Sequence, residues 1–215
     1  VWFDADLLPG YAWSFPLAPA ADGTGRVNIG FGIPRGGRWR VQEMKGLWAD
    51  LLDRPHVRAA LGDGATLEGA HRAWPIPARI DRVPLTGDRV LYVGDAATAT
   101  DPMTGEGIGQ ALLTGRLAAE AIGGGGFGAP ERITHEYARA VRAALVADHR
   151  MSMRLQRILV HERGAAAAVR IAGLTPWTRA NFARWLFEDE PRAVVCTPRR
   201  WHRHFLARPG AFAEA

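Results

Sequence analysis

The feature that most restricts this chain is the run from Arg89 to Ile122, RVLYVGDAATATDPMTGEGIGQALLTGRLAAEAI. It opens with Arg89-Val90-Leu91-Tyr92-Val93, a compact apolar stretch of the buried-strand type, and stops abruptly at Gly94-Asp95. A loop containing Pro102 follows. A helix is then predicted over 104–122, with Ile108, Leu112, Gly115, Ala119 and Ile122 as its inner face at helical spacing. Open α/β sheets bind ligands at the carboxyl ends of their strands, which is where this order places Asp95. A carboxylate there only accepts hydrogen bonds, so it suits a polyol with hydroxyls to donate. Gly105 and Gly107 allow backbone to approach a flat ligand without interference from side chains. The free N–H groups and positive dipole end of the helix face the same place and favour negative charge on a bound group. Glu106 in the first turn complements that dipole.

Upstream the period changes to two. Tyr11, Trp13 and Phe15 share one face of a predicted strand, Ala12 and Ser14 share the other, and Pro16 is expected to stop it. After a turn at Asp22-Gly23, a second strand places Val27, Ile29, Phe31 and Ile33 on one face. Its other face, Asn28, Gly30 and Gly32, is nearly bare backbone, and glycines inside a strand mark a close approach by another backbone or a ligand. A short helix is expected over 42–52. A loop-rich stretch then runs over 55–82 and includes the extended Trp74-Pro75-Ile76-Pro77. Gly123–Gly126 ends the long helix. The pattern is helical again from Glu131 to about Val169, followed by shorter helices anchored at Pro176 and broken at Pro191.

Composition narrows the function classes. With 215 residues, 47% apolar and 23% charged, the chain can bury a sizeable core and is not wholesale disordered. The longest stretch free of charge, 7–21, carries Pro9, Pro16 and Pro19 and is too short to span a bilayer. Cys196 stands alone, which excludes an internal disulfide or a cysteine-based metal cluster. Neither Ser14 nor Ser152 sits in a G-x-S-x-G elbow, which counts against an ordinary serine hydrolase. The opening VWFDADLLPG has no initiator Met and no signal pattern, as expected of a piece of something longer. Charge is uneven. Residues 1–149 carry 15 Lys and Arg against 17 acids, a net of −2, whereas residues 150–215 carry 12 Arg against 5 acids, a net of +7. Such an end suits phosphate, nucleic acid or an anionic membrane, and a solvated helical face is preferred over nucleic acid.

Gly94-Asp95-Ala96-Ala97, followed by Asp101-Pro102-Met103-Thr104-Gly105-Glu106-Gly107-Ile108, resembles the second FAD motif of flavoproteins with the p-hydroxybenzoate hydroxylase fold. Its DP-x-TGEGI form is similar to that of the geranylgeranyl reductase family, flavin enzymes that saturate isoprenoid double bonds. The resemblance implies FAD as cofactor, with Gly94, Asp95, Pro102, Gly105, Glu106, Gly107 and Ile108 around it. Asp95 would take the ribityl hydroxyls, Pro102 would lie beside the isoalloxazine ring, and the Gly105–Ile108 backbone would lie at its pyrimidine edge. There, negative charge on the reduced ring would meet the helix N-terminus. Where this chain has Thr98, the family usually has Gly. Tyr11-x-Trp13-x-Phe15-Pro16 also resembles the family's Y-x-W-x-F-P element, which implies that Tyr11, Trp13, Phe15 and Pro16 line a cavity for an apolar substrate. Trp74-Pro75-Ile76-Pro77 fits the family's approach to the flavin. No strand followed by G-x-G-x-x-G occurs, so the half that binds the ADP moiety is expected before Val1.

The implied fold class is α+β or α/β, the C-terminal portion of an FAD-binding flavoprotein. Residues 1–84 would be part of an antiparallel substrate-binding sheet domain, 85–128 the second half of the FAD-binding domain, and 129–215 a C-terminal helical region. The implied activity is that of an FAD-dependent oxidoreductase delivering hydride to an isoprenoid double bond, with NAD(P)H or ferredoxin as donor. No residue stands out as the acid, so the catalytic set is unassigned. A flavin monooxygenase or a quinone-directed reductase on the same scaffold is the alternative. From another class comes a non-catalytic basic module binding nucleic acid or anionic lipid through residues 150–215. A cytoplasmic protein docking peripherally on membranes is expected, through the basic end and Trp177, Trp185 and Trp201. Trp177, Phe182, Trp185 and Phe187, mixed with Arg179 and Arg184, resemble a basic interfacial helix. Asp4-x-Asp6 reads as a solvated turn rather than a metal pair, and Glu188-Asp189-Glu190 as a surface helix end. His202-x-His204 has no carboxylate partner, so no metal site is assigned.

Overall fold

The alternation from Tyr11 onward folds as a strand because its small residues face a core and its rings do not. In the computed structural model, which describes residues 1–125, 128–187, 193 and 196–198, β1 (Tyr11–Leu17) pairs antiparallel with β2 (Arg26–Gly32). Tyr11 stands opposite Gly32, Trp13 opposite Gly30 and Phe15 opposite Asn28. The strand does not stop at Pro16. A two-stranded ribbon has free edges on which a missing N–H is tolerated, and Pro16 pairs with Val27. Ala12 is fully buried and joins Leu7, Leu47, Trp48, Leu51 and Val57, with Ile29 and Phe31 packed against them.

That core is completed by a 3-10 turn, Val41–Glu43, and by α1 (Met44–Asp53) and α2 (Pro55–Leu61). The second helix corrects the loop expected from Pro55. Pro55 fits a first helical turn, where its missing N–H has no partner to lose. With seven residues and only Val57 and Leu61 packed on the core, this helix is too short to show a clear period. Asp4 and Asp6 are not a solvated turn either. Arg54 donates to Asp4 Oδ2 at 2.6 Å, to both Asp6 oxygens at 3.0 and 2.7 Å, and to Asp50 Oδ2. The Asp6 carboxyl is held below its ordinary pKa, chiefly by the hydrogen bonds from Arg54.

The chain divides into two compact units, the first ending at Pro75 and the second starting at Ile76, ahead of the expected 84/85 boundary. In the second unit, Arg89–Val93 is not a strand. It leaves a tight turn, with Gly87 N donating to Val90 O and Tyr92 N to Leu85 O, and forms only the Thr86–Leu91 bridge. A strand needs a partner along its length, and among the described residues of this unit the stretch pairs only with Leu85 and Thr86, in a short antiparallel turn. A 3-10 turn, Gly94–Ala97, leads into the loop, and α3 (Ile108–Gly125) begins four residues after Thr104.

The inner face expected for α3 is the outer one. Ile108 and Leu112 are 76% and 72% exposed, whereas Thr114, Ala118 and Ala121 are buried. Much of this helix is apolar all round, so its period does not select a side. Small residues face α4 (Pro130–Leu159) because Tyr137 and Val141 fill the space opposite them. Ile80, Leu85, Ala97 and Ala99 close the same core. The helix expected to continue to Val169 breaks at Val160-His161 and restarts as α5 (Glu162–Gly173). Gly164 permits the corner, since a Cβ there would collide with the Ile158 carbonyl oxygen. α6 (Pro176–Phe187) follows, with Trp177 exposed. The side chains of Arg184, Trp185 and Phe187, together with Glu188–Glu190, Pro191, Trp201, His202 and His204, lie outside the described residues.

Candidate functional site

Gly94 turns the chain out of the core. Its φ of +53° is in the region that favours glycine, a Cβ would meet that of Ala111 at 3.1 Å, and its N–H donates to the buried Thr114 Oγ1 at 2.9 Å. The 3-10 turn then presents Asp95 at the surface. Its Oδ1 accepts from Thr100 Oγ1 at 3.2 Å. The position a Gly107 Cβ would take lies 3.2 Å from the same Thr100 oxygen and 3.7 Å from Asp95 Oδ1. Asp95, Thr100 and Gly107 therefore come together although they are spread over 13 residues of chain.

Asp101 closes the loop between them. Its buried carboxylate accepts from Thr104 N at 2.9 Å and Thr104 Oγ1 at 2.7 Å. Its backbone is linked both ways, with Asp101 N donating to Glu106 O and Gly105 N to Asp101 O, each at 2.9 Å. Gly105, at φ +71°, makes the reversal. Ile76 Cδ1 lies 3.7 Å from where a Gly105 Cβ would be, and Arg79 N donates to Thr98 O, so the segment after Pro75 runs beside the loop. The Glu106 carboxylate accepts from Gly109 N at 2.8 Å and caps α3. The preceding N–H groups of that helix have no intrahelical acceptor. Ile108 begins the helix and is exposed, and Pro102 is half-buried.

These residues fit FAD. The exposed carboxylate of Asp95 could accept from a polyol, and Gly105 and Gly107 would leave backbone without side chains open to a flat ring edge beside the positive end of α3. The Thr98 position also agrees with a glycine in the family pattern. Thr98 adopts φ +52°, and its hydroxyl is buried without a hydrogen-bond partner.

In the first unit, Tyr11, Trp13 and Phe15 lie on the strand face turned away from the core. Phe3, Tyr11, Trp13 and Phe15 form a row of rings with successive centroids 5.9, 5.9 and 6.2 Å apart, and Phe3 and Phe15 are exposed. The close approach signalled by Gly30 is made by Trp13 itself. Its indole lies across the strand, 2.5 Å from where a Gly30 Cβ would sit, and its Nε1 donates to Asn28 Oδ1 at 2.9 Å. Pro16 follows, exposed, within the same strand.

Several supporting residues escaped the sequence reading, and most belong to α4. Tyr137 Oη donates to the Tyr92 carbonyl, just before the motif, and burial pushes this phenol's pKa up. Gln156 Nε2 donates to the Pro102 carbonyl at 3.0 Å, inside the motif. Between them, the buried His149 places Nε2 3.2 Å from Asp81 Oδ1. Burial lowers the His149 pKa, outweighing the opposite pull of Asp81 and Asp101. Positions 137, 141, 145, 149, 152 and 156 keep helical spacing, a signal that continues from apolar into polar residues.

The chain is 35% identical over 118 residues to digeranylgeranylglycerophospholipid reductase 2 of Methanopyrus kandleri, covering 54% of this chain and 28% of that protein. It is 33% identical over 150 residues to menaquinone reductase of Mycolicibacterium smegmatis, covering 66% and 34% respectively. With a digeranylgeranylglycerophospholipid reductase of Methanoculleus marisnigri it shares 38% identity over 111 residues, 52% of this chain and 25% of that protein. The matched part is thus about a third or less of the length of these curated relatives. No family model matches the chain, and no solved structure does.

Proposed function

We propose that this chain, a homologue of digeranylgeranylglycerophospholipid and menaquinone reductases over half or more of its length, forms part of an FAD-dependent reductase acting on carbon–carbon double bonds of an isoprenoid lipid. The observation that carries this reading is the convergence of Asp95, Thr100 and the side-chain-free Gly107 at the start of α3. Residues 85–128 contribute the second half of an FAD-binding domain, with 129–215 as a C-terminal helical region. Asp95 accepts from ribityl hydroxyls, and the backbone of Gly105–Ile108 meets the ring at the positive end of α3, where negative charge is stabilised. FAD, when bound, supplies the reducing equivalents, drawn from NAD(P)H or ferredoxin.

The row of Tyr11, Trp13 and Phe15 offers exposed aromatic area and few hydrogen-bonding groups, which suits an apolar chain. Among the described residues no helix is long and apolar enough to cross a membrane. The arginine-rich end and exposed Trp177 supply charge and an interfacial ring suited to docking on a membrane surface that holds a lipid substrate. The FAD-loaded protein is expected to saturate a polyprenyl substrate without oxygen, whereas oxygen-coupled hydroxylation would overturn the reading. Asp95→Ala should weaken flavin binding about tenfold or more, the scale of losing hydrogen bonds to a charged acceptor. Unchanged flavin occupancy in that variant would remove Asp95 from the site.

A further inference from the structure

One helix holds the motif at two points, just ahead of it and inside it. On α4, Tyr137 holds the Tyr92 carbonyl ahead of the 3-10 turn, and Gln156 holds the Pro102 carbonyl inside the loop. These two residues are 19 positions apart, about 28 Å along a straight helix. The stripe between them turns from apolar (Val141, Leu145) to polar (His149, Ser152) as it passes beneath the loop. Ser152 is fully buried, and both its hydroxyl and His149 Nδ1 lack a partner. Burying polar groups in this way is costly, so packing alone does not account for the polar half of the stripe.

The loop itself is held mostly by Asp101, Thr104 and Glu106, all within it or at its edge. Such local bonds set its shape but not its height above the helices. Gln156 reaches the 101–107 segment from outside it, donating from α4 to the Pro102 carbonyl, and His149 on the same helix feels the charge of Asp101. We infer that Gln156 is a positioning residue, whose amide N–H fixes the Pro102 carbonyl and thereby sets the Gly105–Ile108 backbone where the flavin ring meets it. This inference rests on the proposed flavin site. Its own content is that a donor at position 156, and not merely a side chain of that size, is required.

Two variants separate these possibilities. Gln156→Met keeps the length and removes the donor. Gln156→Glu keeps the shape but has no donor when ionised, and regains one as pH falls through the carboxyl range, about 4.3 for a free side chain. Flavin affinity is measured by fluorescence against wild type at each pH, and amide exchange of residues 101–107 is followed without flavin. Both variants should bind flavin about fivefold more weakly at pH 8, the scale of one hydrogen bond, and exchange faster in that loop while the rest of α4 stays protected. At about pH 4 the Glu variant should recover towards wild type on both readouts, and the Met variant should not. If both variants match wild type, or if both stay equally impaired at every pH, the donor role is overturned. If wild type itself takes up no flavin, the flavin reading fails, whereas the exchange data alone still decide whether Gln156 tethers the loop.

Discussion

Each of the two units gathers distant segments onto one hub, but the hubs work by different physics. In the first, Arg54 collects Asp4, Asp6 and Asp50 by charge, with its side chain 14% exposed and Asp50 largely in solvent. In the second, α4 collects Tyr92, Asp81 and Pro102 by register, through neutral or weakly ionised side chains on one stripe. A charged hub can hold carboxylates whose local geometry varies, because guanidinium offers five donors. A helical hub fixes positions along an axis at 1.5 Å per residue, which suits a loop that must present backbone to a ligand. The difference is that the first unit's polar network holds its fold together, whereas the second's holds the segment around residues 92–102 against one helix.

The comparison is broken most forcefully at Arg54. Arg54→Ala leaves three carboxylates facing one another without their cation. It should destabilise the first unit by about 3 kcal/mol, discounted from the upper range because Asp50 is solvated. Urea unfolding combined with exchange protection in β1, β2 and α1 checks this, and a change below about 1 kcal/mol would mean that the cluster is only decorative.

Thr98 sharpens the other side. A β-branched residue at positive φ, carrying a buried hydroxyl without a partner, is strained where the backbone leaves the 3-10 turn. Thr98→Gly should stabilise the protein by about 1 kcal/mol, the relief outweighing the entropy glycine adds to the unfolded chain. Thermal unfolding reads the sign, and a lower midpoint would contradict it.

The smallest expected effect is in pH dependence. Burial keeps folded His149 neutral at pH values where an unfolded histidine is already taking up a proton. The unfolded chain then binds more protons, so His149's contribution is full above about pH 6.5 and declines as pH falls through that value. Asp6, whose pKa is lowered by Arg54, behaves at a different acidity, its contribution being lost only as pH falls below the ordinary carboxyl range. Stability of wild type and His149→Gln, measured from pH 8 to 5, should converge towards the acid end. Parallel curves would show that His149 does not titrate in that window.

Part of the candidate site's local geometry was legible where chemistry constrains residue type, since Gly105 takes a positive φ and Asp95 and Gly107 come together. Glu106, expected inside the first turn of a helix over 104–122, instead precedes α3 and caps it by accepting from Gly109 N. The β1–β2 alternation was legible, since a two-residue period with glycines opposite rings has few other solutions. Arg54 was not legible, because nothing local links it to Asp4 and Asp6 some 50 residues earlier. The buried side of α3 was not legible either, because an apolar helix presents a usable face in several directions.

What the sequence determined by itself was therefore the list of groups: an acceptor, a capped helix start, side-chain-free backbone and a row of rings. Tertiary structure decided their support. It turned Ile108 and Leu112 outward so that alanines could meet Tyr137, stopped Arg89–Val93 short of a strand, and placed Gln156 under Pro102. The physical reason is range. Backbone conformation and capping depend on a few adjacent residues, whereas burial and long-range hydrogen bonds depend on which surfaces remain once all elements have packed.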